Sequence, residues 1–391
     1  MRTRGSAMAA AAALALLGAA CGGKSATSGG PKVQVQQSIG PGEGHLKLIA
    51  WDGYTEDAWV KPFEQQSGCQ VDVTVGTTSD DMVRLMRQGG GTIYDGVSAS
   101  GDATNRLIAG HDVAPINVNL IPSFGEMIAA LQSPAHNTVN GVHYGVPYMW
   151  GPNFLMYRTD IVKPAPASWN VVFDANSPYA GKITAYNSPI YIADAALYLK
   201  AHNPSLGITD PYELTGPQLD AAVALLKQQK TEVKKYWAAV ADETGPFKSG
   251  DIVVGTAWPV NMQELLAAHV PVAAVVPSEG VTGWADTWMM SSHAPDKNCM
   301  YRWMQYTTKS DVQAQVAESY GATPSNSMSC PVLDKDLGTS VTNDIFHCGD
   351  AAYLQSIALW KTPLSTCGDS RGNVCQDYTV WTQKWTDIVG G

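Results

Sequence analysis

Residues 46–54 read LKLIAWDGY, a short apolar strand that ends in two aromatic side chains on either side of Asp52 and Gly53. A helix-like segment follows, and residues 69–75 then alternate valine with polar side chains, as a half-buried strand does. A second helical stripe leads to a third short strand at residues 94–97. Strands that alternate with helices are typical of a parallel sheet, so the sequence predicts an α/β fold.

Several polar and aromatic side chains fall at the carboxyl ends of these strands. Ligands of open α/β sheets bind at that edge, because the loops that follow the strands meet there. The candidates are Trp51 and Tyr54 after the first strand, and Ser100 and Asp102 after the third. We predict that they contribute to a binding site.

A second set of strands and helices begins after about Tyr148, where we predict that the chain crosses into a second domain. Asp194 lies in the first turn of a helix that starts near Ile192. A carboxylate is favoured there by the helix dipole alone, so a ligand contact and a purely structural role both stay open. Trp258 ends an apolar strand at residues 251–258, again at a carboxyl end.

Residues 277–288 read PSEGVTGWADTW and follow another apolar strand. Trp284 and Asp286 are two positions apart, so in an extended segment both side chains point to the same side. A cation could stack on the indole while it pairs with the carboxylate. The alternative is a half-buried strand with a solvated aspartate. We predict a second domain crossing at residues 281–286.

Composition and motifs argue for binding without catalysis. The net charge of −10 makes nucleic acid and anionic membranes poor partners and a cationic small molecule a plausible one. The sequence contains no nucleophile elbow, phosphate loop or zinc-protease motif, and its eight histidines are scattered singly. We therefore predict no catalytic residue, metal site or cofactor. The enzyme alternative is a secreted carbohydrate-active hydrolase with paired carboxylates.

The first residues predict export. Arg2 and Arg4 precede an apolar run too short for a membrane span, so residues 1–20 are predicted to be a signal peptide. The small residues before Cys21 resemble a bacterial lipobox, which predicts a lipid anchor on Cys21, with ordinary cleavage nearby as the alternative. Residues 21–43 are predicted to be a flexible tether, because this stretch is rich in serine, glycine and glutamine.

Six further cysteines are even in number, which in an exported protein indicates three disulfides. Close pairs could join locally and leave the two distant cysteines for each other, but fifteen connectivities are possible and all stay open. The cysteines concerned are Cys69, Cys299, Cys330, Cys348, Cys367 and Cys375.

Four short motifs occur in order along residues 44–326. They read LIAWDGY at 48–54, YDGVSAS at 94–100, VPYMWG at 146–151 and EGVTGWAD at 279–286. In sequence and in order they resemble motifs of the solute-binding proteins of bacterial spermidine/putrescine ABC transporters.

This resemblance implies a two-lobed periplasmic-binding-protein fold, with crossing strands at a hinge and a ligand cleft between the lobes. Lobe 1 would comprise residues 44–148 and 287–326, and lobe 2 residues 149–286 and 327–391. The family implies no catalysis, a membrane permease as partner and a polyamine or related organic cation as ligand. We expect a monomer. A binding protein for quaternary amines is a further alternative, because an aromatic box also suits choline-like cations.

The resemblance also implies roles for single residues. Asp194 and Asp286 would face amino groups, Ser100 would be a polar contact, and the aromatic walls would be Trp51, Tyr54, Trp258 and Trp284. Four positions depart from residues that family members use for the ligand, namely Gly53, Leu197, Asn261 and Ala322. Asp102 stands where an aromatic residue is common and would restore one negative charge.

Overall fold

The computed structural model describes residues 35–390. The predicted signal peptide, Cys21 and the first part of the predicted tether lie outside these residues. Within residues 35–390, none of the helices combines the length and the apolar character that a bilayer crossing needs.

Helices and strands alternate through most of the described chain. The helices are α1 (Asp57–Ser67), α2 (Ser79–Met86), α3 (Gly101–Ala109), α4 (Ala129–Gln132), α5 (Asn170–Phe173), α6 (Ile192–His202), α7 (Gly216–Lys230), α8 (Val240–Ser249), α9 (Pro259–Ala267), α10 (Lys297–Thr307), α11 (Ser310–Tyr320), α12 (Cys330–Leu337), α13 (Thr339–Asp344), α14 (Ala351–Ser356) and α15 (Tyr378–Gly390). The strands are β1 (His45–Ala50), β2 (Gln70–Val75), β3 (Gly96–Ala99), β4 (Thr138–Val139), β5 (Val142–His143), β6 (Val146–Pro152), β7 (Phe154–Arg158), β8 (Ile183–Tyr186), β9 (Val233–Trp237), β10 (Val254–Ala257), β11 (Val272–Val275), β12 (Val281–Met290), β13 (Thr323–Pro324) and β14 (Ile357–Leu359).

Two sheets organise the fold. The larger has seven strands, in the order β13-β6-β12-β3-β1-β2 with β14 beside β12, and the smaller has five, in the order β11-β7-β10-β8-β9. β1 is parallel to both β2 and β3, as the strand and helix alternation predicts. The α/β prediction is confirmed, and each sheet forms the centre of one of two lobes.

Local sequence signals set several element boundaries. The sequence Thr215-Gly216-Pro217-Gln218 has the spacing of a capping box and predicts a helix start there. The backbone N–H of Thr215 donates to the Gln218 side chain at 2.8 Å at the start of α7, which is half of such a box. Helix α11 ends at Tyr320, and Gly321 follows in the left-handed conformation at φ 77°. Both boundaries were predicted because they depend only on neighbouring residues.

The chain passes between the two sheets later than predicted. The sequence predicts one strand over residues 150–157, whereas β6 ends at Pro152 in the larger sheet and β7 begins at Phe154 in the smaller. Residues Pro147 to Pro152 still pair with β12, so the passage between the two sheets lies a few residues after Tyr148. The chain returns between Val275 and Val281. These two crossings lie within about a dozen residues of the predicted lobe boundaries after residues 148 and 286, which we keep as a proposal.

The C-terminal part, which we assigned to lobe 2 from its sequence, contacts helices of both lobes. Leu333 and Phe346 pack with two alanines of α11, and α15 packs against α7. Three disulfides form, and two of them pin this part of the chain. The pairs are Cys69–Cys299, Cys330–Cys348 and Cys367–Cys375, one of the fifteen connectivities that the sequence leaves open.

Candidate functional site

The carboxyl ends of β1, β3 and β10 converge on β12. Their following residues line one cavity with two side chains of β12, so the structure brings five predicted site residues together. The cavity is lined by Trp51, Ser100, Trp258, Trp284, Asp286, Tyr320 and Trp360. We call it the first cavity.

Asp286 is the acid of the first cavity and is 3% exposed. The Tyr54 hydroxyl donates to its Oδ2 at 2.6 Å, and the Ser100 hydroxyl donates to its Oδ1. Burial raises the pKa of Asp286 to about 7, although both hydroxyl hydrogen bonds favour the charged form. The prediction that this segment is a strand is confirmed, but Asp286 is buried, so the alternative of a solvated aspartate is wrong.

The strand β12 is buried along its whole length, and its pairing with β6 shifts register between Ala285 and Thr287. Such an irregularity changes the direction in which a side chain leaves the strand. Asp286 lies at the shift and faces Tyr54 and Ser100 of the neighbouring segments. The carboxylate is therefore fixed by both its strand and its two donors.

Aromatic rings surround this carboxylate. Trp51 and Trp258 meet edge to face with centroids 5.7 Å apart, and Trp284 meets Tyr320 at 6.1 Å and 90°. These rings offer flat faces that bind methylene groups and attract cations. Among the described residues that line the first cavity, none is Lys, Arg or His.

Asp194 lies in the first turn of α6 and borders a different space. The Thr282 hydroxyl donates to its Oδ1 at 2.9 Å, and Thr282 in turn accepts from Asn153 Nδ2 at 2.7 Å. Burial raises the pKa of Asp194 to about 7, against the lowering effect of the Thr282 hydrogen bond. Asp194 therefore both occupies the first turn of α6 and lines a cavity.

The second cavity is lined by Asn153, Tyr186, Tyr191, Asp194, Trp237, Thr256, Ala257, Trp258 and Trp360. Within the described part of the chain, four buried polar atoms of its lining residues have no hydrogen-bond partner: Asn153 Oδ1, the Tyr186 hydroxyl, Thr256 Oγ1 and Trp360 Nε1. Buried polar atoms are normally satisfied. A polar group of a ligand in this cavity would supply the missing partners.

A wider depression opens outside the first cavity and shares Tyr320 with it. Four carboxylates line it, and Lys248 pairs with one of them, Glu264. The carboxylates belong to Asp52, Glu56, Glu264 and Glu318. We call this depression the acidic approach to the first cavity. Its carboxylates attract cations over a distance of about a Debye length, ~10 Å at moderate salt.

Asp102 lies outside this constellation, in a buried ionic cluster between α2 and α3. Its Oδ1 accepts from the Ser79 hydroxyl at 2.7 Å, and its backbone oxygen accepts from Arg106. Burial raises the pKa of Asp102 to about 6, and Arg106 opposes that shift. Asp102 lines neither cavity, and one oxygen of its carboxylate is turned toward Ser79. Its contact with a ligand stays a prediction.

Eight residues that line the cavities were missed from the sequence: Tyr186, Tyr320 and Trp360, and also Asn153, Tyr191, Trp237, Thr256 and Ala257. Tyr186 is the last residue of β8, so the strand-end rule could have found it. Tyr320 explains one departure from the family motifs. A Cβ at Gly53 would lie 2.8 Å from the Tyr320 ring, and Gly53 also has φ 84°. Trp360 had no local signal.

The buried acids predict a pH dependence of stability. Between about pH 4 and 7 the folded chain retains protons on Asp286 and Asp194 that the unfolded chain has lost, so their contribution to the free energy of unfolding falls as pH rises. Asp286→Asn removes its share. We expect the melting temperature of this variant, relative to wild type, to rise between pH 5 and pH 8. A difference that stays constant over thermal melts at pH 5, 6, 7 and 8 would contradict the prediction.

Two lobes around buried acids and aromatic walls define a class of protein, a two-lobed receptor for a small ligand. In the part of the chain that the structure describes, no group of three or more His, Cys, Asp or Glu side chains is placed to hold a metal ion. The family model for bacterial extracellular solute-binding proteins matches residues 58–334, most of the chain. This chain belongs to that family.

Individual proteins of this kind are similar to the chain in sequence or in fold. The putrescine-binding periplasmic protein PotF of Escherichia coli K12 is 21% identical over 307 residues, which cover 75% of this chain and 80% of PotF. Among solved structures, the spermidine/putrescine ABC transporter substrate-binding protein PotD of Streptococcus pneumoniae has a TM-score of 0.67 at 18% identity, with 88% of this chain and 97% of PotD covered. The Tp0655 (TpPotD) lipoprotein of Treponema pallidum has a TM-score of 0.68 at 18% identity, with 88% and 99% covered. These structures share the two-lobed fold.

Proposed function

We propose that this chain is the extracytoplasmic ligand-binding component of an ABC importer and that it binds a polyamine or a related organic cation between its lobes. The observation that supports this most directly is the pair of buried acids, Asp286 and Asp194, each in a cavity with aromatic walls. An ionised carboxylate in such a place needs a buried cation as partner. The names of PotF and PotD point to the same ligand class.

The cavity chemistry fits an alkyl amine in both of its parts. Ammonium groups would pair with the carboxylates, and the methylenes between them would lie on the indoles of Trp51, Trp258 and Trp284. A cation over a desolvated indole gains about 0.5–2 kcal/mol. Ligand binding between two lobes favours their closed form, which would then be presented to the permease.

The hydrolase alternative is not favoured. Two catalytic carboxylates must flank one scissile bond. Here Asp286 and Asp194 line different cavities, and each is held by hydroxyl donors. The related proteins named above are binding proteins and transport components.

Calorimetric titration of the mature protein with putrescine, spermidine, spermine, choline and glycine betaine tests the proposal. We expect saturable one-to-one binding of at least one polyamine, weakened by salt because the acidic approach is screened. Tighter binding of choline than of any polyamine would move the ligand to the quaternary amines. Absence of binding across the panel would contradict a cationic ligand.

We also propose that the chain is exported and held to the membrane by a lipid on Cys21, which would act through the tether at residues 21–43. The lipobox-like sequence supports the anchor, and the related Treponema pallidum protein is named a lipoprotein. We expect a monomer that meets its permease while tethered. The mass of the N-terminal peptide of the exported protein tests the anchor, because an unmodified Cys21 would exclude it.

A further inference from the structure

The segment 357–363, which we call the C-terminal strap, crosses from one lobe to the other. Its strand β14 pairs in parallel with the start of β12, and the backbone N–H of Trp360 donates to the Gly283 carbonyl at 2.7 Å. On the lobe 1 side, the Thr362 hydroxyl donates to the backbone oxygen of Asp102 at 2.8 Å. The strap is therefore tied to the hinge strand and to the start of α3.

The other side of the strap is tied to the segment before α7. The Tyr212 hydroxyl donates to the backbone oxygen of Ala358 at 2.6 Å. Lys361 Nζ lies 2.7 Å from an Asp210 carboxylate oxygen and 2.5 Å from one of Glu213. These contacts fix the backbone on both sides of Trp360.

Close backbone packing fixes Trp360 further. A Cβ at Gly101, the first residue of α3, would lie 1.9 Å from the Trp360 carbonyl oxygen. Two backbones that meet at this distance leave room only for glycine. The backbone that carries the Trp360 indole is consequently fixed in position.

The indole of Trp360 is 2% exposed and lies between the two cavities. It stacks on Tyr186 with centroids 5.8 Å apart and planes at 13°, and it meets Trp258 at 6.5 Å and 67°. Trp258 and Trp360 are the two residues that line both cavities. One side of this indole pair holds Asp286 and the other holds Asp194.

We infer that Trp360 is a specificity-determining residue, because its indole divides the cleft into two cavities with one acid each and so selects ligands with two cationic ends over ligands with three. The inference rests on the proposed function. A linear diamine pairs one ammonium with each acid, and its methylenes pass along Trp258 and Trp360. A third ammonium would have no acid in either cavity, and contact with an indole face offsets only part of the cost of a buried unpaired charge.

The test measures dissociation constants of putrescine and spermidine for wild type, Trp360→Ala and Trp360→Phe. Wild type is expected to bind putrescine more tightly. Trp360→Ala joins the two cavities, so the ratio of the two constants should shift toward spermidine by about tenfold or more. Trp360→Phe keeps a ring and should give an intermediate ratio, and it serves as the readout should the alanine variant fold poorly.

Trp381→Phe is the matched control. Trp381 is a fully buried tryptophan of α15 that is not among the residues lining either cavity. Its replacement should leave the ratio unchanged. A folded Trp360→Phe or Trp360→Ala variant with the wild-type ratio would overturn the inference, and so would a wild type that prefers spermidine. A wild type that binds no amine would instead overturn the proposed function.

Discussion

Replacement of Asp286 by asparagine is expected to weaken binding of a cationic ligand by about 2–5 kcal/mol, a loss of about 30-fold to several thousand-fold. The change keeps the shape of the side chain and one acceptor oxygen, so one of the Tyr54 and Ser100 hydroxyls can still donate and the other must turn to accept from the amide N–H. It leaves the ammonium of the ligand buried without a counter-charge. Calorimetric titration of the preferred amine at pH 8, where the wild-type acid is ionised, measures the loss.

Asp102→Asn is the matched control for this variant. Asp102 is also a buried aspartate with a raised pKa, but its carboxylate accepts from Ser79 rather than from a donor at the first cavity. We expect its affinity to stay within about threefold of wild type, a difference below ~0.7 kcal/mol. Equal losses in the two variants would mean that net charge, and not contact with Asp286, governs binding.

Removal of the Cys69–Cys299 disulfide is expected to lower the free energy of unfolding by about 5 kcal/mol. The two cysteines are 230 positions apart, so the bond closes a very long loop and restricts the unfolded chain strongly. Both cysteines are fully buried. The double change to alanine introduces no polar group at this buried place. Urea denaturation of the double variant, with wild type in parallel, gives the difference.

The Cys367–Cys375 pair provides the comparison, because its cysteines are only 8 positions apart. The same loop-closure argument gives about 2–3 kcal/mol for its removal. We therefore expect the long-range pair to cost more than the short-range pair by a clear margin. Similar losses would show that native packing around each bridge, and not the loop it closes, sets the stabilisation.

Signals within a few residues were sufficient for much of the fold. The alternation of strands and helices from residue 46 onward predicted the parallel pairing of β1 with β2 and β3. The strand-end rule selected Trp51, Ser100 and Trp258, and the structure brings these three residues to one cavity. These predictions succeed because periodicity and strand direction fix which edge of a sheet a side chain reaches.

Asp102, which the same rule selected, does not line that cavity. Ser100 directly follows β3, whereas Asp102 lies two residues later, inside the first turn of α3. A helix turns successive side chains by about 100°, so the two point in different directions. Its carboxylate therefore meets Ser79 and not the cavity that Ser100 lines.

The sequence by itself determined the α/β alternation, the helix boundaries at Thr215 and Gly321, and the joint orientation of Trp284 and Asp286 on one strand. Each depends on local conformation, which neighbouring residues specify. The tertiary structure decided the disulfide pairs, the contact of Tyr320 with Gly53 and the insertion of Trp360 between the two acids. Those contacts join residues far apart in the chain, and only the packing of the two lobes and the strap brings them together.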